Sequence, residues 1–360
     1  MRLCCIFNYP PLYRAPIYTL IDQTFDAQFI FADSKMDIAR MDISIFKKPV
    51  KYVHSYRIKS IEAYSGLWRF AFSKYDTFLI TSGHPFGIMP LMILCHILGK
   101  RVYGWGHGAK KFDGRFPSLY KWFFKQWDGF FTYGEGGKKR LIELGMPPAK
   151  IHVIYNSLNE GVNEDDCNYS STIYQAHFGN NNPTIVFVGR LTTVKKLDWL
   201  LSALEKHTLK GVNYNLLLIG DGEEKENLVK MADRLNLSSK VWFYGECYDD
   251  EKLNELIYNA DLCVSPGNVG LTALNAMRFG TPVLSHNDFE TQMPEYETIL
   301  SGITGDLFQK GDFNDFCDKI EKWILTSYDR DVIRKNCFSM INGKWNARNQ
   351  IEILTNVLGE

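Results

Sequence analysis

Two cations follow one short apolar segment at a spacing that suits the binding of a diphosphate. Arg190 comes soon after the β-branched segment Thr184–Val188, and Lys195 lies one short turn further on. Arginine can bind a phosphate through two parallel hydrogen bonds, and lysine adds a compact positive charge. Taken alone the pair is weak evidence, because cations at the end of a strand are most often ordinary surface residues.

A glycine-bearing loop that feeds directly into a helix is a second candidate. In Ser265–Met277 the backbone N–H groups of Gly270, Leu271 and Thr272 would point outward at the positive end of the helix, where a phosphate binds well. Asn275 would lie one turn inside, on a face that could meet a ribose. Alone, this pattern is equally typical of an ordinary buried crossover helix.

Other glycine turns also follow apolar segments. The turn Gly220–Gly222 lacks the third glycine of a dinucleotide fingerprint, and the acidic residues after it would repel a phosphate, so it is interpreted as structural. Gly245 would let a flat ring approach the backbone, although a plain turn explains it equally well. His107 stands between two glycines, a setting in which histidine is more often a turn residue than a catalytic one.

Short apolar segments that alternate with helical stretches would position these residues. This alternation predicts a parallel sheet with crossover helices in each half of the chain. The polar stretch 159–182 is the best candidate for a linker between the halves. The predicted strands are Leu3–Phe7, Phe29–Phe31, Thr77–Thr81, Arg101–Trp105, Phe130–Tyr133, Ile151–Ile154, Thr184–Val188, Asn215–Ile219, Val241–Tyr244, Leu262–Ser265 and Pro282–Leu284.

The composition is that of an ordinary globular protein. With 360 residues, 45% apolar and 23% charged, the chain can bury two sizeable cores, which excludes disordered and collagen-like classes. The longest apolar stretch, Phe86–Leu98, is too short to span a bilayer and predicts a buried helix. The apolar segment at the N-terminus is too short for a signal peptide. The eight cysteines form no C-x-x-C pair and indicate buried thiols, so we expect a cytoplasmic protein with no metal site.

The net charge of zero conceals an asymmetry between the halves. Residues 1–160 carry 22 Lys and Arg against 12 Asp and Glu, whereas residues 161–360 carry 19 against 29. This split suggests that the first half faces an anionic lipid headgroup or a phosphorylated substrate, or that the molecule has two solvated faces of opposite sign.

A basic, aromatic-rich segment in the first half has two interpretations. It could lie at an anionic membrane surface, so that the first domain docks on the cytoplasmic leaflet to reach a lipid-linked saccharide. It could equally be a core helix with a solvated basic edge. Its residues are Lys110, Lys111, Phe112, Arg115, Phe116, Tyr120, Lys121, Trp122, Phe123, Phe124, Lys125 and Trp127.

From about residue 183 to 310 the chain resembles the retaining glycosyltransferases of family 4, the bacterial polysaccharide-type glycosyl transferase group 1. The resemblance rests on motifs that occur in family order and at family spacing. They are "VFVGRLTTVKKLDWLLSAL", "LLLIGDGEEKENL", "VWFYGE", "LNELIYNADLCVSP", "GLTALNAMRFGTPVL" and "PEYETILSGITGDLF", with looser matches at "YGWGHG" and "VIYNSLN".

The resemblance implies a GT-B fold, in which two Rossmann-like α/β domains face each other across a cleft. Residues 1–160 would be the acceptor-side domain and residues 161–335 the nucleotide-sugar-binding domain. Residues 336–360 would form a helix that packs back toward the first domain.

The family also implies a role for each candidate residue. Arg190 and Lys195 would bind the donor diphosphate and stabilise the leaving group, and His107 would contact the transferred sugar. The family's nucleotide-binding positions fall on Glu246, Cys247, Tyr248, Asn268, Gly270, Leu271, Thr272 and Asn275. Of these, Glu246 to Tyr248 would line the nucleobase, and the amides of Leu271 and Thr272 would hold a phosphate.

The sequence departs from the family where a pair of glutamates is usual. The Glu-x7-Glu element would place carboxylates at Gly267 and Asn275, and neither residue is acidic. Asn275 can still bond ribose hydroxyls, and Asn268 would take over part of the first glutamate's role. The glycine pair usual after the first strand is also replaced, by Asn8–Pro11.

The implied activity is sugar transfer, with retention of configuration, from a UDP- or GDP-type donor to a glycan or lipid-linked saccharide. It would need no metal or other cofactor and no nucleic acid, and its usual setting is bacterial surface-polysaccharide synthesis at the cytoplasmic face of the inner membrane. A catalytically silent nucleotide-binding or scaffold protein is the main alternative, and a sugar-nucleotide epimerase is a more remote one.

Overall fold

A computed structural model of the chain describes residues 1–33, 38–58, 61–81, 85–109, 117–167, 169, 172–326 and 328–359. Its contacts divide the chain into two compact units. The N-terminal unit combines Met1–Gly161 with Lys344–Glu360, and the C-terminal unit is Val162–Gly343.

The N-terminal unit is built on a parallel sheet of seven strands among the described residues. The strands along the chain are β1 (Arg2–Phe7), β2 (Asp26–Ala32), β3 (Lys51–Val53), a hairpin of β4 (Ser55–Ile58) and β5 (Ile61–Tyr64) outside the sheet, β6 (Thr77–Thr81), β7 (Arg101–Gly106), β8 (Gly129–Thr132) and β9 (Ile151–Val153). Their order across the sheet is β3-β2-β1-β6-β7-β8-β9. The helices of this part of the chain are α1 (Ala15–Thr24), α2 (Pro85–Ile97), α3 (Pro117–Lys125) and α4 (Glu135–Glu143).

Alternation along β1 explains why this sheet is covered on both faces. Leu3, Cys5 and Phe7 belong to one hydrophobic core, and Cys4 and Ile6 belong to another. Successive side chains of a strand point to opposite faces, so an uninterrupted apolar strand needs a layer of helices on each side.

The C-terminal unit repeats this architecture with six parallel strands in the order β12-β11-β10-β13-β14-β15. They are β10 (Thr184–Val188), β11 (Asn215–Ile219), β12 (Val241–Gly245), β13 (Leu262–Ser265), β14 (Val283–His286) and β15 (Gly305–Phe308). The helices are α5 (Ile173–Phe178), α6 (Asp198–Leu209), α7 (Lys225–Arg234), α8 (Asp250–Asn259), α9 (Thr272–Met277), α10 (Phe313–Leu325) and α11 (Arg330–Gly343). Because strand order reverses between β10 and β13, ligands are expected beside the carboxyl ends of these two strands.

The last helix, α12 (Ala347–Gly359), completes the N-terminal unit. Leu354 and Leu358 are buried in the same core as Leu3 and Ile17 of the first strand and helix. Gln350 of α12 is fully buried, and its side-chain Nε2 donates a hydrogen bond of 2.7 Å to the carbonyl of Tyr155. The chain therefore returns to its first sheet after completing the second.

Three details differ from the sequence expectations. The segment 159–182, predicted as a linker, contains the helix α5, whose buried Tyr174 hydroxyl donates to the carbonyl of Leu256. The division between the units falls after Gly343 rather than after residue 335, since α11 packs against α9. In α2, predicted as buried, one face is exposed, and 73% of Ile97 is accessible.

No helix in the described part of the chain is both long and apolar enough to cross a membrane. The eight cysteines are all free thiols, and all except Cys247 are buried, as the sequence predicted.

Candidate functional site

Loops at the carboxyl edge of the C-terminal sheet are held together by direct backbone contacts. The amide of Leu191 donates to the carbonyl of Asp221 at 2.8 Å, and the amide of Gly220 donates to the carbonyl of Gly245 at 2.7 Å. A Cβ on Gly220 would lie 2.0 Å from the Gly189 carbonyl oxygen, and one on Gly222 would lie 2.4 Å from that of Leu191. The glycine turn after β11 thus serves backbone packing, which agrees with its structural interpretation.

The two predicted cations lie on the loop that follows β10. Arg190 is exposed, whereas Lys195 is half-buried at the end of a 3₁₀ turn, Thr193–Lys195. The Lys195 ammonium donates to the Asn268 carbonyl oxygen at 2.6 Å and to its side-chain Oδ1 at 2.9 Å. This bonding joins the loop after β10 to the loop after β13 and holds the ammonium at the edge of the sheet.

Lys195 has an unusually low pKa for a lysine. Its pKa is lowered to about 8, chiefly because burial penalises the charged form and secondly because the Arg190 charge is near. The charges of Cys263 and Glu295 act in the opposite direction. An anion bound beside both cations would offset the burial and the repulsion together, so the pair favours a ligand with a high negative charge density.

Gly267 occupies a position that leaves no room for a side chain. Its amide donates to the Lys195 carbonyl at 3.0 Å, and a Cβ on it would lie 2.1 Å from the Val194 carbonyl oxygen and 2.8 Å from the Lys195 Cα. Real Cβ contacts are never so close, and both obstacles are backbone. The carboxylate usual at this position in family 4 therefore has no space unless the 193–196 segment moves.

Asn268, predicted to replace part of that carboxylate's role, is bonded to Lys195 rather than pointing away from it. Its carbonyl oxygen also accepts from the Ser265 hydroxyl at 3.2 Å. Asn268 thus holds the lysine in place, and its contact with a sugar stays a prediction.

The start of α9 is bonded to the first strand of the unit. The Thr272 hydroxyl donates to the Val188 carbonyl at 3.0 Å, and Leu271 immediately precedes the helix. Gly270 has a φ of +53°, which turns the chain into the helix. The half-buried Asn275 lies one turn along. Arg190 and Lys195 therefore follow β10, the beginning of α9 follows β13, and these two strands are neighbours in the sheet.

Two residues of this region were assigned no role from the sequence. Gln292 accepts a hydrogen bond from the Val269 amide at 2.9 Å and donates to the Ser285 hydroxyl and the His286 carbonyl, each at 2.8 Å. It thereby fastens the glycine loop to β14. Glu295, only 1% exposed, is the buried acid whose charge raises the pKa of Lys195. The motif containing Glu295 was visible in the sequence, but nothing there indicated its distance from Lys195.

The segment predicted to line a nucleobase follows β12 and is open to solvent. Tyr248 is 85% exposed, and its hydroxyl donates to a Glu246 carboxylate oxygen at 2.6 Å. The Cys247 thiol donates to the Asp249 carbonyl at 3.4 Å. An exposed ring fixed by a hydrogen bond offers a surface on which a base could stack.

His107 belongs to the N-terminal unit, just beyond β7. It is exposed, and its ring centroid lies 5.0 Å from that of Tyr133 in an edge-on arrangement. The neighbouring Gly137 is required there, because a Cβ on it would lie 2.1 Å from the Thr132 hydroxyl oxygen. His107 is thus carried at the carboxyl edge of its own sheet.

Among the residues that the structure describes, no group of three or more His, Cys, Asp or Glu side chains is arranged to hold a metal ion. Of the basic, aromatic segment, residues 110–116 lie outside the described residues. In the described part, Phe123, Phe124 and Trp127 are core residues, whereas Lys121, Trp122 and Lys125 are exposed.

Comparison with known proteins relates part of the C-terminal unit to a family model. Residues 172–339 match the family model of glycosyl transferases group 1. An uncharacterized glycosyltransferase of Methanocaldococcus jannaschii is 33% identical over 147 residues, covering 39% of this chain and 37% of the relative. Lipopolysaccharide 1,6-galactosyltransferase of Escherichia coli is 25% identical over 207 residues, covering 55% of this chain and 52% of the relative. The chain thus spans about half or less of the length of these relatives.

Solved structures match the whole length of the chain. Anabaena HepE in complex with UDP is 15% identical with a TM-score of 0.74, and the match covers 100% of both chains. The lipopolysaccharide outer core galactosyltransferase WaaB is 16% identical with a TM-score of 0.73, and the match covers 100% of this chain and 99% of WaaB. At these identities the likeness shows the fold, and the prediction of a GT-B fold with two Rossmann-like domains is confirmed. Together, the comparisons support a glycosyltransferase.

Proposed function

We propose that this protein is a retaining, family 4 glycosyltransferase that moves a sugar from a nucleoside-diphosphate sugar to a saccharide acceptor. The observation that carries the proposal is the half-buried Lys195 ammonium beside Arg190, at the edge where β10 and β13 end. Two cations held together at the switch point of an open α/β sheet suit a diphosphate better than any neutral ligand.

In the proposed reaction Arg190 and Lys195 bind the donor diphosphate and stabilise the negative charge that develops on it as the sugar leaves. The amides of Gly270, Leu271 and Thr272 add hydrogen bonds to the same phosphates. Preorganised donors of this kind act where charge develops, so this chain's residues would supply the stabilisation without a metal. His107 of the N-terminal unit would contact the transferred sugar.

The remaining donor contacts follow from the loops after β12 and within α9. Glu246, Cys247 and Tyr248 would line the base, and Asn275 would bond the ribose. HepE has been solved with UDP, with UDP and glucose, and with UDP-glucose, which supports a UDP-type donor for this chain. Similarity to a lipopolysaccharide galactosyltransferase supports a saccharide acceptor of the bacterial surface. The transfer would take place at the cytoplasmic face of the inner membrane.

Donor binding is tested by thermal unfolding with a panel of nucleoside diphosphates and their sugars. A ligand at about 100 times its Kd adds about 2.7 kcal/mol to the stability of the native state, enough to raise Tm by a few degrees. We expect one base, uracil or guanine, to give a selective shift that Arg190→Ala abolishes. Arg234→Ala, which removes an exposed arginine of α7, is the matched control and should keep the shift. A wild-type chain that no nucleotide stabilises would contradict the proposal.

The pH dependence of nucleotide binding should follow from Lys195. Its pKa of about 8 in the free protein is expected to rise when a diphosphate binds, because the anion favours the ammonium form. Affinity for UDP should therefore be constant below about pH 8 and fall up to about tenfold per pH unit above it. Calorimetric titration with UDP between about pH 7 and pH 9 measures this pH dependence of the affinity. Lys195→Arg, which stays charged throughout, should remove the dependence, whereas a flat wild-type profile would show that the ammonium does not face the diphosphate.

One observation favours a second candidate function, a nucleotide-binding protein that does not catalyse transfer. The backbone of Val194 and Lys195 fills the space where family 4 places its first carboxylate. Assays of sugar transfer with the nucleotide sugar selected by the unfolding panel separate the two candidates. Turnover whose product keeps the donor's anomeric configuration supports the enzyme, and tight binding without turnover supports the silent protein.

We also propose that the N-terminal unit docks on an anionic membrane. The segment Leu67–Phe72 and α3 each pack against α2, and all three elements expose apolar side chains. These exposed residues are Trp68, Phe72, Ile93, Ile97 and Trp122, each at least 42% accessible. The exposed Lys121 and Lys125 flank Trp122, and residues 1–160 carry a net charge of +10. An apolar surface edged by cations fits a layer of anionic headgroups.

Vesicle flotation tests this docking. The protein should float with vesicles that contain phosphatidylglycerol, and not with pure phosphatidylcholine, because the attraction is partly electrostatic. Ile97→Ser and Trp122→Ser should each reduce the bound fraction. Leu209→Ser removes a side chain that is 82% exposed on the C-terminal unit and should leave flotation unchanged. Equal flotation of all four proteins, or none with either vesicle, would contradict the proposed surface.

A further inference from the structure

Arg14 is a buried cation of the N-terminal unit that none of the roles above uses. It lies immediately before α1, and only 6% of it is exposed. Its guanidinium carbon lies 4.6 Å from the Tyr133 ring centroid, 5.4 Å from that of Tyr13 and 5.8 Å from that of Trp105. Aromatic faces attract a cation, and the Tyr13 side chain adds a hydrogen bond, but these contacts leave part of the guanidinium without the hydrogen bonds that it makes in water.

Two N–H donors in this cluster are buried and have no hydrogen-bond acceptor among the residues that the structure describes. They are Nη1 of Arg14 and the indole Nε1 of Trp105, and no described carboxylate forms an ion pair with Arg14. A buried donor without an acceptor costs about 1–3 kcal/mol, and more when it is charged. Both unsatisfied groups are donors, so one anionic group could satisfy them together.

The cluster occupies the edge of the sheet at which ligands bind in open α/β folds. Trp105 is the last residue but one of β7, Tyr133 directly follows β8, and Arg14 lies on the connection from β1 to α1. These strands are parallel, so all three residues lie near the carboxyl edge of the sheet. His107, the residue proposed to contact the sugar, packs edge-on against Tyr133 at the same edge.

We propose that Arg14 and Trp105 form an anion-binding subsite for the acceptor, which takes a phosphate or carboxylate group carried by the acceptor saccharide. This inference rests on the proposed function, because it assigns the acceptor's chemical class. Tyr13 is half-buried whereas Tyr133 and Trp105 are buried, so the anion enters from the side that Tyr13 covers and displaces its ring from the guanidinium.

Stability in a buffer free of anionic ligands distinguishes this role from a structural one. Arg14→Met keeps most of the side-chain volume and removes a buried charge that has no carboxylate partner in the described part of the chain. If Arg14 serves to bind a ligand, Arg14→Met should be at least as stable as the wild type, because an unpaired buried charge opposes folding. A clear loss of stability would show instead that the guanidinium supports the core, and it would overturn the proposal.

Anion binding is measured by thermal unfolding with UDP held at saturation, so that phosphate cannot bind at Arg190 and Lys195. The probes are inorganic phosphate, glucose 6-phosphate, glucuronate and, as the neutral comparison, glucose. We expect the three anions to raise the Tm of the wild type and glucose to leave it unchanged. Arg14→Met should abolish the shift, and Trp105→Phe, which lacks the indole N–H, should reduce it.

Two further variants separate the effect of the Arg14 charge from a general effect of losing an arginine. Arg14→Lys retains the charge and should retain a weaker shift. Arg2→Met removes an exposed arginine at the opposite end of β1, paired there with Asp76, and should behave as the wild type does. Anion shifts that persist in Arg14→Met, or that are absent from the wild type, would overturn the proposal. The UDP shift of the same samples reports separately on the proposed function.

The anion could belong to a soluble acidic saccharide or to a lipid-linked phosphate, and a vesicle arm separates these sources. Flotation with phosphatidic acid in phosphatidylcholine is compared for the wild type and Arg14→Met. Loss of flotation in the variant assigns the subsite to a lipid-linked phosphate. An Arg14-dependent shift with soluble anions and no effect on flotation assigns it to a soluble acceptor. No dependence on Arg14 in either arm refutes the subsite.

Discussion

Replacing Arg190 with methionine is expected to lower kcat for sugar transfer by about 100- to 1,000-fold, equivalent to about 3 kcal/mol of transition-state stabilisation. The guanidinium is exposed and its charge is strong enough to lower the pKa of Lys195, so it lies within reach of a ligand bound there. In the proposed reaction, its loss removes positive charge at the point where the departing diphosphate gains negative charge. The measurement is steady-state kinetics with the nucleotide sugar that stabilises the chain most.

The fold should survive this change, because Arg190 is a surface residue of a loop. Tm without ligand is expected to stay within about 1 °C of the wild type, since surface substitutions cost little. Arg234→Met provides the matched loss of an exposed arginine from the same unit and should keep full activity. If Arg190→Met retained more than about a tenth of the wild-type kcat, Arg190 would not be stabilising the leaving group.

Substituting Gly267 should damage both stability and donor binding. In Gly267→Ala the new methyl group would overlap the Val194 carbonyl and the Lys195 Cα, so the 193–196 segment must shift. Overpacking of this kind costs about 1–3 kcal/mol, and the shift would break the bonds from the Lys195 ammonium to Asn268. We therefore expect a Tm lower by several degrees and a nucleotide Kd raised at least about tenfold.

Gly267→Glu, which introduces the acidic residue usual at the corresponding position of family 4, should be worse than the alanine variant rather than better. Gly343→Ala is the control, because that glycine has nothing within 4 Å of its Cβ position. Unfolding curves and nucleotide titrations of the three variants measure these effects on stability and donor binding. Enhanced transfer by Gly267→Glu would mean that the 193–196 segment moves aside readily and that the backbone does not exclude a carboxylate at this position.

Much of the strand arrangement could be predicted because buried parallel strands leave a strong signal. Uninterrupted apolar segments such as Thr184–Val188 and Thr77–Thr81 are strands at those very residues. The short strands β3 and β15 were not predicted, since Lys51–Val53 and Gly305–Phe308 each offer only two apolar residues beside a charged one and depend on their neighbours for pairing. Residue propensities predict a strand reliably only where the same residues are also buried in the sheet.

The candidate site was only partly predictable for a different reason. Arg190, Lys195 and Thr272 stand out because charged or glycine-flanked residues follow apolar segments. The contact between Gly267 and Val194 joins residues more than seventy positions apart, and no local sequence pattern indicates it. The same holds for Gln292, whose three hydrogen bonds hold the loop after β13 through partners on two different elements.

The path of the chain has a consequence for synthesis on the ribosome. The N-terminal sheet is translated first, yet its core includes Leu354 and Leu358, which emerge only after the entire C-terminal unit. Val162–Gly343 is continuous in sequence, so it could fold before α12 covers part of one face of the N-terminal sheet. Until α12 arrives, that nascent sheet would be the most vulnerable to chaperone capture or proteolysis. Chains that terminate before residue 344 should therefore accumulate with a folded C-terminal unit and a protease-sensitive N-terminal one.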